Sequence, residues 1–269
     1  MRKQITLLLI PLLLLSCQSE SGQTANEDES ATIVQPTITD SLRQVYYHYY
    51  NALEKPFPTH CVPERNKVNP ADAAPLDTVF FIFREQLKEI VAKKDIFKLL
   101  EYVDGNIKVG FGAENGLKTF IDMWELNSPE QIPDSKLWPT LESVLHLGGL
   151  FNEKGDFFTA PYLDACYPAN ADAFETGAVI GAGVRMRAGP GLDTKVLGNL
   201  SYDILEMIET TPIEQTIGRE TYPWIKVKTL DGVEGFIWGK FYRSPIDYRV
   251  GFQKKRLDGW KMVTLLAGD

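Results

Sequence analysis

The sequence predicts an α+β fold: a helix-rich N-terminal domain, then a small β-barrel, then a C-terminal β-hairpin. Three observations carry that reading. Apolar residues recur at three- and four-residue spacing from Val79 to Val103, the period of a helix that buries one face. Between residues 184 and 242 short alternating runs are separated by glycine- and proline-marked turns, the pattern of a small twisted all-β unit. Residues 248–264 alternate on either side of Leu257-Asp258-Gly259, a hairpin. The divisions expected are 1–17, 18–37, 38–174, 175–245 and 246–269.

The chain starts Met1-Arg2-Lys3-Gln4 and continues with an apolar run from Ile5 to Leu15. Such a run rises only about 17 Å as a helix, short of a hydrocarbon core of about 30 Å, so it reads as a secretion signal instead of a membrane span. Leu14-Leu15-Ser16-Cys17 resembles a bacterial lipoprotein processing site. The resemblance implies cleavage before a lipidated Cys17, and Gln18 after it implies the outer membrane. Residues 18–37 contain Glu20, Glu27, Asp28 and Glu29 and no lysine or arginine. They cannot bury enough apolar area to offset chain ordering, and are expected to form a flexible acidic tether.

The net charge is −8, and loss of Arg2 and Lys3 with the signal makes it more negative still. That excludes a general nucleic-acid binder and offers no polybasic patch for anionic lipid, so membrane contact is expected through the lipid alone. With Cys17 lipidated, Cys61 and Cys166 remain as an even pair in an oxidising envelope. A disulfide between them and two free buried thiols are both open readings.

Asp40 or Ser41 can cap a first helix carrying Leu42, Val45, Tyr46, Tyr49 and Leu53. Prolines 56, 58, 63, 70 and 75 make residues 55–76 irregular. His60 and Cys61 lie there, but adjacent side chains do not converge as base and nucleophile. From Asp77 the apolar stripe is Val79, Phe80, Phe83, Leu87, Ile90 and Val91; Asp95 opens a shorter helix with Ile96, Leu99, Leu100 and Val103. Ile107, Val109 and Phe111 alternate as a strand, and Leu117, Phe120, Ile121 and Trp124 form another helix after a Gly-Phe-Gly turn. That turn lacks the further glycines and lysine of a phosphate loop and reads as structural. Pro139 suits the first turn of a helix ended by Gly148-Gly149, with His146 placed to bond its last carbonyls. Phe157, Phe158 and Tyr162 suggest a strand before Cys166.

In the barrel, Val184 and Met186 alternate with Arg185 and Arg187, Gly189-Pro190-Gly191 turns the chain, and Leu197 to Ile208 carries a second strand signal. Ile225, Val227 and Thr229 lead into Asp231-Gly232, a strong hairpin signal, and Phe236-Ile237 return. "VRMRAGPGLDTKVLGNL" followed by "WIKVKTLDGVEGFIWGKFY" resembles a bacterial SH3-like (SH3b) domain, over about a quarter of the chain. The departure from its compact pattern is a long connecting loop from Thr210 to Pro223. The whole order also resembles a group of bacterial envelope proteins with an α-rich front, an SH3b module and a final Gly-Trp hairpin.

The resemblance implies a module that binds cell-wall peptide, peptidoglycan or an envelope protein and does no chemistry. Its ligand would use a shallow groove with exposed aromatics. Ile237 should point inward and Trp238 outward, so Trp238 is the first candidate anchor; Arg185 and Arg187 could hold a peptide carboxylate, and Tyr222 ends the long loop. The competing reading covers Trp238 with the final hairpin or the helical domain and leaves both arginines solvated without a ligand. No cofactor or metal is expected. The leading expectation is a non-catalytic, lipid-anchored envelope protein. A wall hydrolase targeted by the barrel, and a structural brace, are the alternatives. The final hairpin is too small to stand alone in water and should complete the helical domain's sheet, making the barrel an insertion; extension of the barrel is the other possibility.

Overall fold

Asp77 accepts a hydrogen bond from the Phe80 amide at 2.9 Å and so starts the helix that organises the front of the molecule. The computed structural model describes residues 39–53 and 55–268. The signal, Cys17 and the acidic tether lie outside them. The helices are α1 (Asp40–Asn51), α2 (Thr78–Lys93), α3 (Ile96–Tyr102), α4 (Leu117–Met123), α5 (Leu137–Leu145) and α6 (Tyr162–Cys166). The strands of the front half are β1 (Pro63–Glu64), β2 (Lys67–Val68), β3 (Val103–Lys108), β4 (Leu150–Phe151) and β5 (Phe157–Ala160). Those that follow are β6 (Thr176–Val179), β7 (Val184–Arg187), β8 (Val196–Leu200), β9 (Ile204–Ile217), β10 (Glu220–Thr229), β11 (Glu234–Trp238) and β12 (Tyr242–Arg243). β13 (Arg249–Lys255) and β14 (Gly259–Leu266) end the chain. The protein is therefore a mixed α+β structure. No described helix is long and apolar enough to cross a membrane.

Two sheets divide the molecule. A five-stranded sheet runs β3-β14-β13-β5-β4, with β14 parallel to β3 and the other pairs antiparallel. The last hairpin is thus its centre, Phe252 lying opposite Phe158. Helices cover this sheet because their apolar stripes meet its inner face: Phe80 contacts the rings of Phe158, Phe252 and Trp260 at centroid distances of 4.4, 5.5 and 4.7 Å. The second sheet has seven strands in the order β12-β6-β9-β10-β11-β7-β8, all antiparallel, curled into a half-barrel. Val179, Val184, Met186, Leu200, Leu205, Ile225, Val227 and Ile237 fill its concave side. Gly235 permits its closure, since a Cβ there would lie 2.6 Å from Met186 Cγ and 2.9 Å from the Arg187 carbonyl.

The two bodies share a third apolar cluster, in which Val68, Tyr162 and Leu163 of the front pack on Ala178 and Ile204 of the half-barrel. The β1–β2 turn fastens this seam: the Val68 amide donates to Tyr202 O (2.9 Å), and the Ile204 amide to Asn66 O (2.8 Å). Cys61 and Cys166 form a disulfide, Cα–Cα 5.4 Å apart, tying the proline-rich segment to α6. Buried Arg84 on α2 bridges Asp72 (2.6 Å) and Glu85 (2.9 Å). Desolvation opposes its charge, but the two carboxylates outweigh that and raise its pKa.

The local expectations need several corrections. Thr39, not Asp40 or Ser41, caps α1, because its hydroxyl reaches the Leu42 amide. Val79 is half exposed, facing away from the sheet. Val103 begins β3 instead of ending a helix, pulled into parallel pairing with Met262. Tyr162 lies in α6, beyond the strand, and is fully buried in the seam. The run from Leu197 to Ile208 holds two strands, separated by Ser201-Tyr202-Asp203, where Asp203 accepts from the Ser201 amide. The interval 55–76 contains the small β1–β2 hairpin among its prolines. Residues 210–223 are no loop: they extend β9 and β10 into a paired arm that turns at Gly218-Arg219.

Candidate functional site

The register of the Asp-Gly hairpin builds the site. Gly232 takes φ +85°, which only glycine adopts readily, and the turn sets Lys228 opposite Glu234, Lys226 opposite Phe236 and Trp224 opposite Trp238. Strand side chains alternate, so Ile225 and Ile237 enter the half-barrel core while Trp224 and Trp238 stand together on the outer face. Arg187 pairs with Phe236 on the next strand and belongs to that same outer face, with Arg185 two residues away. Two tryptophans and two arginines thus converge from three neighbouring strands.

The arm then folds over them. Opposite Trp224 the β9–β10 ladder skips Thr211-Pro212-Ile213, and proline cannot donate to it. The Thr211 hydroxyl instead donates to Trp224 O at 2.9 Å, and the bent arm brings Gln215 O within 2.9 Å of the Trp238 indole N–H, which donates to it. Tyr222 meets the Trp238 ring edge-on at 5.2 Å, Phe241 approaches it at 5.8 Å, and Lys240 lies over it at 5.9 Å. Lys240 also pairs with Glu220 on the arm.

Each of the expected site residues is affected by this. Trp238 does face outward, but it is 5% exposed and no open anchor. The groups found against it are Tyr222 and Gln215 of the arm, Phe241 and Lys240. Arg187 is 7% exposed rather than solvated, because its guanidinium donates to the Thr194 carbonyl at 2.8 Å. Arg185 is exposed. Tyr222 is a strand residue beside Trp238 instead of the end of a loop. Sequence reasoning missed Trp224, although counting back from Asp231-Gly232 places it across from Trp238. It also missed Phe241 and Ile217.

Between arm and outer face remains a cleft of about 250 Å3, lined by Arg185, Arg187, Ile217, Trp224, Trp238 and Phe241, among others. It is smaller than the few hundred cubic ångströms that a whole drug-sized ligand occupies, so it suits one side chain or a terminal group of something longer. No carboxylate among the described residues lines it. Lys226, Lys228 and Lys240 of the half-barrel pair with Glu234, Glu206 and Glu220, and those pairs leave both arginines out. The buried indole N–H of Trp224 has no acceptor among the described residues. An acidic protein therefore carries here a cationic, donor-rich and aromatic-floored hollow, complementary to an anionic group attached to an apolar one.

Two larger hollows, of about 450 and 500 Å3, flank the β1–β2 turn and share Glu64, Arg65 and Pro168. Their charges are mixed and their walls are mostly loop. The disulfide borders the first, so neither Cys61 nor Cys166 is available there as a thiolate nucleophile. His146 bonds the Glu142 carbonyl through Nδ1 at 2.8 Å, at the end of α5. No protein-family model, curated protein or solved structure matches this chain.

Proposed function

We propose that this is a non-catalytic, lipid-anchored protein of the bacterial cell envelope, in which an SH3-like half-barrel recognises an anionic peptide from the cell wall or from an envelope protein. The lipoprotein-like leader ending at Cys17 supports the outer-membrane placement. The observation that carries recognition is the cleft in which Arg185 and Arg187 meet Trp224 and Trp238, with no carboxylate among the described residues that line it. Guanidinium groups hold a carboxylate in a fixed planar geometry, and rings beside it bury apolar surface with few rotors. The bonded state of Cys61 and Cys166 supports recognition over a cysteine-based wall hydrolase.

Co-sedimentation of the detergent-extracted full chain with purified peptidoglycan tests the wall source, and titration with a soluble acidic peptide tests the protein source. Arg185→Glu is the control, since that side chain is exposed and its reversal leaves the core intact. Retention in either arm that Arg185→Glu abolishes supports the reading; absence of binding in both removes it. Incorporation of a labelled fatty acid, lost in Cys17→Ala, tests the anchor separately.

A further inference from the structure

The seven-stranded sheet ends on β8, which is hydrogen-bonded on one side only, to β7. An outer strand presents unpaired N–H and C=O groups, and proteins blunt such edges with shortness, charge or proline. The other outer strands of the two large sheets follow that rule. β12 and β4 are two residues long, and β3 interposes Asp104, Asn106 and Lys108 between its inward residues. β8 does not follow it. It has five residues, and within it Val196 and Leu197 are 40% and 42% exposed. Leu192, 48% exposed, lies in the turn before it and also lines the cleft. Val196 pairs with Arg187, so the apolar edge and the cationic cleft adjoin on one face.

We infer that β8 is a docking edge for an extended, all-L protein segment that adds to the sheet as an eighth strand and places an acidic side chain or carboxylate against Arg185 and Arg187. The inference rests on reading the half-barrel as a recognition module, and it selects the protein source over the wall. A five-residue edge spans about 17 Å, enough for main-chain pairing with a matching segment. The wall's stem peptides mix L and D residues, whose side chains do not alternate across a pleated L-strand. Charge complementarity favours an acidic segment over a second copy of this chain. Each copy would bring its own Lys195, Arg185 and Arg187 to the shared edge, along with a net charge of −8.

The probe is a synthetic all-L peptide of alternating valine and glutamate, compared with its valine–lysine counterpart and with purified peptidoglycan, using the full chain. Amide hydrogen exchange is read with and without peptide. The expected result is saturable binding of the glutamate peptide alone, with exchange of the 196–200 amides slowed about tenfold or more. Val196→Lys combined with Leu197→Lys, both at exposed positions, should weaken it about tenfold, equivalent to about 1.4 kcal/mol. Binding lost on Arg185→Glu but without protection of β8 overturns the edge inference and leaves the recognition reading standing. Protection of β8 that rises with protein concentration in the absence of peptide overturns it in favour of self-association. Binding to peptidoglycan alone overturns it in favour of the wall. No binding by any probe removes both readings.

Discussion

The two sheets use their aromatic residues in opposite ways. Around the five-stranded sheet the large rings point inward: Phe80, Phe158, Phe252 and Trp260 pack on one another in a single core beneath the helices. The half-barrel core holds aliphatic residues and one methionine, while Trp224, Trp238 and Tyr222 lie on its outer face with the arm folded across them. Burying large rings gives the first region most of the molecule's apolar stabilisation. The second leaves its rings where they shape a cleft beside two arginines. On the proposed reading stability and recognition are separated in space, and the disulfide and the β1–β2 turn hold the two regions together.

That contrast can be tested in order of expected effect. Replacing Cys61 and Cys166 together by alanine should cost about 4–5 kcal/mol in the chain-entropy model, since the bond closes a loop with a sequence separation of 105. Urea unfolding of the oxidised, reduced and substituted proteins measures it, and a loss confined to the half-barrel signal would show that the bond serves only the seam. Phe80→Ala should cost about 3–5 kcal/mol and lower the midpoint for the whole unit, because the core it empties includes the C-terminal hairpin. Two separate transitions would mean the bodies fold independently.

Asp72→Ala should cost about 3 kcal/mol by leaving the buried Arg84 with one carboxylate partner. Arg185→Glu, at the cleft, should shift stability by no more than about 0.5 kcal/mol, as expected for an exposed position, while abolishing ligand retention. A large stability loss there would erase the distinction between the two regions. A further effect, confined to acid solution, concerns pH. The Asn106 amide, and then Lys255, hold the Asp104 carboxyl below its ordinary range. A depressed carboxylate stabilises above its unfolded pKa, near 4, and that contribution disappears as pH falls through the folded value. Asp104→Asn should therefore flatten the acid limb of the stability curve by less than about 1 kcal/mol, with no change at the cleft.

Much of this architecture was legible in the sequence because it depends on neighbours along the chain. Asp77 and Asp95 announced the helices they cap, Asp231-Gly232 announced its hairpin, and the alternation around Leu257-Asp258-Gly259 announced the last strands. Strand alternation also placed Ile237 inside and Trp238 outside. The arm was harder to read: Pro212 and Pro223 are loop signals, and only the paired flanks reveal that they mark a bend in a long hairpin.

By itself the sequence determined the mixed α+β class, the turns at Asp231-Gly232 and Asp258-Gly259, the faces of Ile237 and Trp238, and which two cysteines could meet. Tertiary structure decided that Trp238 is covered, that Arg187 is held by the Thr194 carbonyl, that Trp224 completes the cleft, and that β8 is left open. The reason is physical. Face and turn follow from backbone periodicity over a few residues, whereas cover and exposure depend on which distant segment arrives on that face, here an arm whose Gln215 meets Trp238 across 23 positions of chain.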